Sequence, residues 1–516
     1  MIRAYPAAAI QAAEEPVLAA TPADALMVQA AGALATTVLR ELRALGARRP
    51  GSVVLLLVGG GNNGGDALYA GARLARRGLV VLAALCAGTV HERALATARS
   101  AGVEVHPLRS GAELDVLALL TLARRAGVWV DALTGIGAAG GLREPLAGAV
   151  RALDDERLAS PDEPLVVAVD VPSGIGVDDG ALPGPVLPAH VTVTMSAPKP
   201  GLLLPPAAAL AGRIEVVDLG LDAALAAGAP ETAARLTAAD AADLWPVPGA
   251  ADHKYTRGVL GLVAGSARYP GAAVLATSGA LGAGVGMLRY LGPPEPAALI
   301  TARHPETVPG PGRVQAWALG SGIDPAAADR AAAVREALAQ ALAEDLPVVA
   351  DAGALALLPE RLPATTLLTP HAGELAALLR SRGHDVDRAQ VEAEPLRHLR
   401  AAVDATGATV LLKGATTLVA GPHGPVHAQA DGTPWLATAG SGDVLTGITG
   451  ALLAGCAAEL RSDTRRGGDL LARLGATAAL VHGRAGVRAS GGGPAGATDV
   501  ARAVPGVVRE LIEGEP

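Results

Sequence analysis

Residues 52–88 read SVVLLLVGGGNNGGDALYAGARLARRGLVVLAALCAG. The almost wholly apolar run Ser52–Val58 suits a strand buried on both faces of a parallel sheet. A glycine turn follows, then a segment with helical spacing of Ala and Leu, then a second apolar run, Leu79–Leu85. That succession reads as a βαβ unit. Gly59, Gly61 and Gly64 satisfy the G-x-G-x-x-G spacing of a dinucleotide-binding turn. The same fingerprint wants an acid about 20 residues on to hold a ribose. None stands between Asp66 and Glu92, so ordinary NAD binding is poorly supported. The unusual feature is chemical: Asn62, Asn63 and Asp66 crowd a turn at a helix N-terminus. Backbone amides there suit phosphate, and the Asn63 carbonyl offers a hard oxygen to a cation.

The alternation extends in both directions. Ala23–Leu45 has helical spacing, and apolar runs at Val128–Leu133, Leu165–Val171, Val191–Met195 and Arg213–Leu219 complete a first strand series. Leu221–Arg235 (LDAALAAGAPETAAR) is Ala-rich and aperiodic, and reads as a linker between separable domains. A second series follows at Val259–Ala264, Ala297–Thr301, Val314–Leu319, Pro347–Ala350, Thr366–Leu368 and Val410–Leu412, with a long helical stretch at Ala326–Leu342. Gly271–Leu288 is uncharged and as long as a membrane span, but its Gly, Ala, Ser and Thr content reads as a buried helix. Two α/β domains are expected, over residues 1–222 and 236–516.

Of the 516 residues, 50% are hydrophobic, 18% charged and 2% aromatic, with no Phe. Such a chain buries large cores of Ala, Val and Leu, and disorder is excluded as its main state. The net charge is −8, and no basic run occurs, so no nucleic-acid partner is expected. The N-terminus lacks the continuous apolar core of a signal peptide. Cys86 and Cys456 each sit in apolar runs and read as reduced thiols. The expectation is a cytoplasmic protein without a membrane partner, assembled as a homo-oligomer. Only two Asn and three Lys occur (Lys199, Lys254 and Lys413) in a chain rich in Ala, Gly, Arg and Pro, which suggests a GC-rich genome. An amide or ammonium that persists there marks chemistry that Gln or Arg does not supply.

Two further strand ends carry polar residues: Val128–Asp131 runs into ALTGIG, and Val169–Gly174 reads VDVPSG. Ligands of open α/β sheets bind outside the carboxyl ends of the strands, so three polar tips gather at one edge. With ALMVQAAG (25–32), NNGGD (62–66), DALTGIG (131–137) and VDVPSG (169–174), residues 20–220 resemble the NAD(P)H-hydrate epimerase family. The resemblance implies that Asn63, Asp131 and Ser173 hold a potassium ion, an all-oxygen set suited to a hard cation. It also implies that Asn62, Asn63, Gly64, Gly65, Asp66, Gly135, Ile136, Gly137, Ala138, Ala139, Gly140, Gly141 and Asp170 line the hydrated nicotinamide nucleotide. Asp170 is the candidate acid/base at C6. Lys199, in SAPKPG, is a candidate assistant, the alternative being a solvated turn lysine.

The second half opens with HKYTRG (253–258) and closes with LLKGATT (411–417) and ATAGSGDVLTG (437–447). Gly440-Ser441-Gly442-Asp443 precedes a helix, so its amides can form an anion hole for a transferring phosphoryl group. Asp443 then stands where a base for a substrate hydroxyl is needed. With SGALGAGVGMLR (278–289), PET (305–307) and LTPHAGEL (368–375), residues 237–510 resemble the ADP-dependent NAD(P)H-hydrate dehydratase family. The implied architecture is a Rossmann-like N-terminal domain followed by a ribokinase-like α/β domain. By this resemblance Ala273, Gly322, His371, Glu374 and Asp443 contact the hydrate. Lys413, Gly414, Ala415, Thr416, Thr417, Gly440, Ser441 and Gly442 contact ADP, whose phosphates a magnesium ion is expected to bridge. Three departures from the family pattern stand out: Ser441 replaces Thr or Met, Gly353 replaces a second Asp, and Ser321 replaces Pro. His371 has an alternative role as a helix cap.

Together the halves read as a bifunctional repair enzyme. One domain interconverts the R and S hydrates of NADH and NADPH, and the other dehydrates the S form at the expense of ADP. The competing reading is an ATP-dependent vitamin or sugar kinase of ribokinase-like fold, carrying a non-catalytic nucleotide-binding N-terminal domain.

Overall fold

The computed structural model describes residues 1–46, 52–137, 140–228, 230–464 and 467–514. The chain divides into two compact units, Arg3–Ala233 and Ala234–Pro516, the latter also including Met1–Ile2.

The first unit is built on a parallel sheet in the order Arg213–Val217, Val191–Met195, Leu165–Val169, Val128–Ala132, Val53–Val58, Val80–Leu85, Glu104–Pro107. Its central strands are almost wholly apolar because helices cover both faces, the exception being Asp131 near the end of Val128–Ala132. Leu56 and Val130 point into one core and Leu57 and Trp129 into the other. Each such side chain contributes about 1.5–3 kcal/mol on burial. Trp129 is 1% exposed, and its indole N–H lies 3.2 Å from the carbonyls of Ala123 and Ala126. Strand order reverses between Val53–Val58 and Val128–Ala132, the position where open sheets bind ligands. The backbones close tightly there: a Cβ on Gly59 would lie 1.9 Å from the Leu133 carbonyl oxygen. The helix Ala7–Ala20 packs through Ile10 against Ala197, Leu221 and Leu225.

The second unit carries a larger sheet with strands ordered Val426–Gln429, Thr417–Ala420, Thr409–Leu412, Thr366–Leu368, Val348–Ala350, Ala316–Leu319, Val259–Val263, Met287–Tyr290, Val308–Pro309. Pairing is parallel from Thr409–Leu412 to Val308–Pro309 and antiparallel in the hairpins before it. The long helices Ser441–Gly455, Leu470–Ser490 and Ala497–Glu513 supply much of one continuous core. Trp317, 2% exposed, covers Gly261 on the neighbouring strand.

Several sequence expectations are corrected. Ala297–Thr301 is not a strand but part of the helix Pro294–Arg303. Proline at its first turn, Glu295 behind it and Arg303 at its end are helix-boundary signals that outweigh a short apolar run. Gly271–Leu288 is not one helix: Pro270–Gly282 ends at the left-handed Gly284 and the strand Met287–Tyr290 begins. Leu221–Arg235 is not an empty linker, since it holds the helix Asp222–Gly228, with Leu225 buried, and the strand Ala233–Arg235. Among the described residues no single helix is long and apolar enough to cross a membrane.

Candidate active sites

In the first unit four strand ends converge. Asn63, in the first turn of Asn62–Ala75, donates its amide to the Val169 carbonyl at 2.7 Å and the Thr134 carbonyl at 3.0 Å. Asp131 is fully buried. Its Oδ1 accepts from the Ser173 hydroxyl at 2.6 Å and its Oδ2 from the Ser173 amide at 2.8 Å, while the Thr134 amide donates to the Ser173 hydroxyl at 3.1 Å. Burial pushes the Asp131 carboxyl pKa up, and its bonds from Ser173 and Leu133 oppose that push. The three residues expected at the cation are thus joined by continuous hydrogen bonds. One buried carboxylate has only neutral partners among the described residues, and all donors are oxygen. That set fits a hard monovalent cation, which would neutralise Asp131.

Beside it lies a second cluster. Asp170 is 4% exposed and holds a left-handed backbone, φ 69°. Its Oδ1 accepts from the Met195 amide at 3.0 Å, the Thr194 hydroxyl at 3.1 Å and the ammonium of Lys199. Lys199 is 1% exposed and also bonds the Met195 carbonyl at 2.9 Å. It is a buried ion-pair partner and not a solvated turn lysine. Asp66 is held well above the ordinary carboxyl range by burial, with the Asp170 and Glu14 charges adding and Lys199 opposing. Glu14, on Ala7–Ala20, was not among the sequence candidates. Its Oε1 accepts from the Ser196 hydroxyl at 3.2 Å, and burial raises its pKa against the pull of Lys199. No motif marks it, because it lies in an Ala-rich helix far from the glycine turn in sequence.

A cavity of about 320 Å3 opens beside these groups, lined by Thr134, Gly135, Gly140, Gly141, Val171 and Ile175. Gly64 and Gly65 are buried in the helix start, and Asn62 is exposed. Neither they nor Asp170 line this cavity. Ile136 and Gly137 lie between Gly135 and the part of the chain where Ala138 and Ala139 fall outside the described residues.

In the second unit the carboxyl ends of neighbouring parallel strands present Ser321 and Gly322, Asp351, Thr369 and His371, and Lys413. Asp351, 2% exposed, is the hub and was missed as a site residue. It accepts from Lys413 Nζ at 2.8 Å, from the Thr369 hydroxyl at 2.9 Å and from the Thr446 hydroxyl at 2.9 Å. Lys413 Nζ also lies 3.6 Å from Glu374 and 3.5 Å from where a Cβ on Gly442 would stand. Burial works against its charge, but Asp351, Glu374 and Asp443 outweigh burial and raise its pKa. Asp443, in the first turn of Ser441–Gly455, is pushed up to about 7 by burial and then by the Asp351 charge, with Ser321 and Lys413 opposing. Ser441 is not merely a backbone donor: its hydroxyl lies 3.1 Å from Nε2 of His482, whose pKa burial lowers to about 4.

The remaining candidates are distributed around this hub. Gly414 and Ala415 are the exposed tip of the hairpin turn after Lys413, followed by the half-buried Thr416 and by Thr417, which opens the strand Thr417–Ala420. Gly440 is the left-handed residue that opens the helix. Gly322 lies against Ala272, next to the fully buried Ala273. His371 caps the helix Ala372–Ser381: its Nδ1 accepts from the Gly373 and Glu374 amides, and its own amide donates to the Glu374 carboxylate at 2.8 Å. Gly353 has a packing reason, since a Cβ there would lie 2.1 Å from the Ile323 carbonyl oxygen.

Comparison with known proteins identifies the family of each half. Residues 23–201 match the model of the YjeF-related protein N-terminus, and residues 260–498 match that of NAD(P)H-hydrate dehydratase. The bifunctional NAD(P)H-hydrate repair enzyme of Mycobacterium tuberculosis is 41% identical over 463 residues, covering 87% of this chain and 89% of that protein. The chain belongs to the bifunctional NAD(P)H-hydrate repair enzyme family. A separate NAD(P)H-hydrate epimerase from Clavibacter michiganensis is 48% identical over 221 residues, covering 42% of this chain and 90% of that protein. Among solved structures, the ADP/ATP-dependent NAD(P)H-hydrate dehydratase from Bacillus subtilis, co-crystallised with ATP and Mg2+, is 25% identical with a TM-score of 0.46. It covers 55% of this chain and 99% of that one. Membership of the repair-enzyme family sets aside the vitamin or sugar kinase alternative.

Proposed function

We propose that the first unit interconverts the C6 epimers of hydrated NADH and NADPH, and that the second dehydrates the S epimer with ADP, releasing AMP, phosphate and the reduced nucleotide. The observation that carries this reading is Asp443 at the head of its helix, with a pKa of about 7 and Lys413 beside it. A carboxylate so tuned is a competent base near neutral pH.

In the second site Asp443 accepts the proton of the C6 hydroxyl as that oxygen takes the terminal phosphoryl group of ADP, leaving AMP. Lys413 and the backbone amides at the helix start around Gly440–Gly442 stabilise the charge on the transferring group. The ring-nitrogen lone pair then expels phosphate, C5 loses a proton, and the reduced ring returns. Magnesium would supply further charge neutralisation at the phosphates. Among the described residues no three Asp, Glu, His or Cys side chains form a metal cage, which suits an ion carried in by the nucleotide.

In the first site Asn63, Asp131 and Ser173 would hold potassium, which supplies positive charge at the substrate. Asp170 and Lys199 exchange protons with the C6 hydroxyl as it leaves and returns on the other face. Asp66, whose burial favours the neutral carboxyl, faces the nucleotide as a hydrogen-bonding group. Two free thiols, with pKa values pushed up to about 12 by burial, support a reducing compartment, and we place the protein in the cytoplasm.

Mixed hydrates incubated with the protein and ADP should regain the near-ultraviolet absorbance of the reduced ring completely. Recovery of only the S fraction would remove the epimerase assignment, and no recovery would remove the dehydratase assignment.

A further inference from the structure

The second unit contains a hollow of about 550 Å3 that the reaction above does not use. Gly271, Leu275 and Ser278 of the helix Pro270–Gly282 form one wall. Leu299 and Arg303 of the helix Pro294–Arg303 and Thr498 of Ala497–Glu513 form the rest. The hollow adjoins the proposed site at two points. A Cβ on Gly440 would lie 2.4 Å from Leu275 and 3.3 Å from Ala497. A Cβ on Gly322 would lie 2.5 Å from Ala272 and 3.0 Å from the Tyr269 carbonyl. The first turn of Pro270–Gly282 therefore runs from Gly322, beside Asp443, to the mouth of the hollow. Ser278 gives the floor a polar point, 2.8 Å from His304 Nε2. Arg303 is exposed, and among the described residues its guanidinium has no hydrogen bond or ion pair.

The hydrate is a dinucleotide, and Asp443 and Gly322 account for its nicotinamide end only. We propose that this hollow holds the adenosine half of the hydrated dinucleotide, with Arg303 recognising the 2′-phosphate that distinguishes the NADPH hydrate from the NADH hydrate. The assignment rests on the dehydratase reading above. With the reacting ring at Asp443, the pyrophosphate crosses the amides that open Pro270–Gly282, where a helix N-terminus suits it. The adenine then meets Leu275 and Leu299, and the planar fork of Arg303 matches a phosphomonoester.

The test is steady-state dehydration of each S hydrate separately, by the full chain with saturating ADP. Arg303→Gln should raise KM for the NADPH hydrate by ~10-fold, the scale of one lost charge-assisted hydrogen bond. KM for the NADH hydrate should not change. An equal effect on both hydrates, or none on either, overturns the assignment. Leu299→Trp narrows the hollow and should raise KM for both hydrates without changing KM for ADP; unchanged hydrate KM values would also overturn it. Adenosine 2′-monophosphate should compete with the hydrate and lose ~10-fold in affinity in Arg303→Gln, and competition with ADP alone contradicts the proposal. A wild-type protein that dehydrates neither hydrate refutes the dehydratase reading, a distinct outcome.

Discussion

Lys413 and Asp351 form a hydrogen-bonded ion pair, Nζ to Oδ1 at 2.8 Å, in which the carboxylate is 2% exposed and the ammonium faces the glycine loop. The pair aims a compact charge at the place where phosphate is expected. A guanidinium is longer and planar and does not fit the same bonds. Lys413→Arg should raise KM for ADP although the charge is kept, as nucleotide kinetics will show. Lys413→Met leaves Asp351 charged and buried with hydroxyl donors only, and should destabilise the second unit by about 3–5 kcal/mol in a denaturant titration.

Asp443 links activity to stability with opposite signs. Its folded pKa, about 7, exceeds its ordinary value of 3.8. The folded state therefore holds a proton that the unfolded chain releases, and the resulting stabilisation is full below about 3.8 and is lost as pH rises through 7. Asp443→Asn should lose ~10²–10⁴ of dehydration rate. It should gain melting temperature relative to wild type progressively from about pH 4 to about pH 7 and level off above that. A stability difference independent of pH would mean that Asp443 is not desolvated. In the wild type the dehydration rate should rise through pH 7 as the base ionises.

The buried Asp131 carboxylate predicts a cation dependence. Losing even an outer-shell partner costs about 10–100-fold in metal affinity, so Asp131→Ala should raise the potassium concentration for half-maximal epimer exchange at least ~10-fold. Replacing potassium by a bulky organic cation should lower the melting temperature of wild type and not of the variant. An unchanged potassium titration would remove Asp131 from the site.

Asp170 occupies a left-handed backbone that Asn also tolerates, so Asp170→Asn should keep the local backbone, but it leaves the buried Lys199 ammonium without its carboxylate and should destabilise the first unit by about 3–5 kcal/mol. It should lose epimer exchange by ~10²–10⁴ and leave dehydration of the S hydrate intact. Loss of both activities would show that the two sites are not independent.

The polar strand ends were legible in the sequence because each interrupts or follows an apolar run: Asp131 and Asp170 stand where a buried strand stops, and Asn63 just past the glycine turn after one. Asp351 ends a strand in the same way, yet its strand, Val348–Ala350, is so short that the residue reads as a turn former. Glu14 carries no signal at all, since its partner Ser196 is remote in sequence and only tertiary folding joins them. His371 was readable as either ligand or cap, and its Nδ1 bonds show the capping role. The misread segments were short apolar runs, where strand and helix periodicities cannot be told apart and the flanking Pro and Gly decide.

The two deeply buried indoles, Trp129 and Trp317, have a practical consequence. The chain has four Trp and no Phe, and Trp129 is the one tryptophan of the unit Arg3–Ala233. Its ring is sealed among leucines and bonded to backbone carbonyls, so its emission should be blue-shifted and should redden only when that core opens. Replacing Trp129 by Tyr silences one unit, and replacing Trp317 silences the deepest fluorophore of the other. A fluorescence melt of this chain therefore separates into two spectrally assignable transitions without any attached dye.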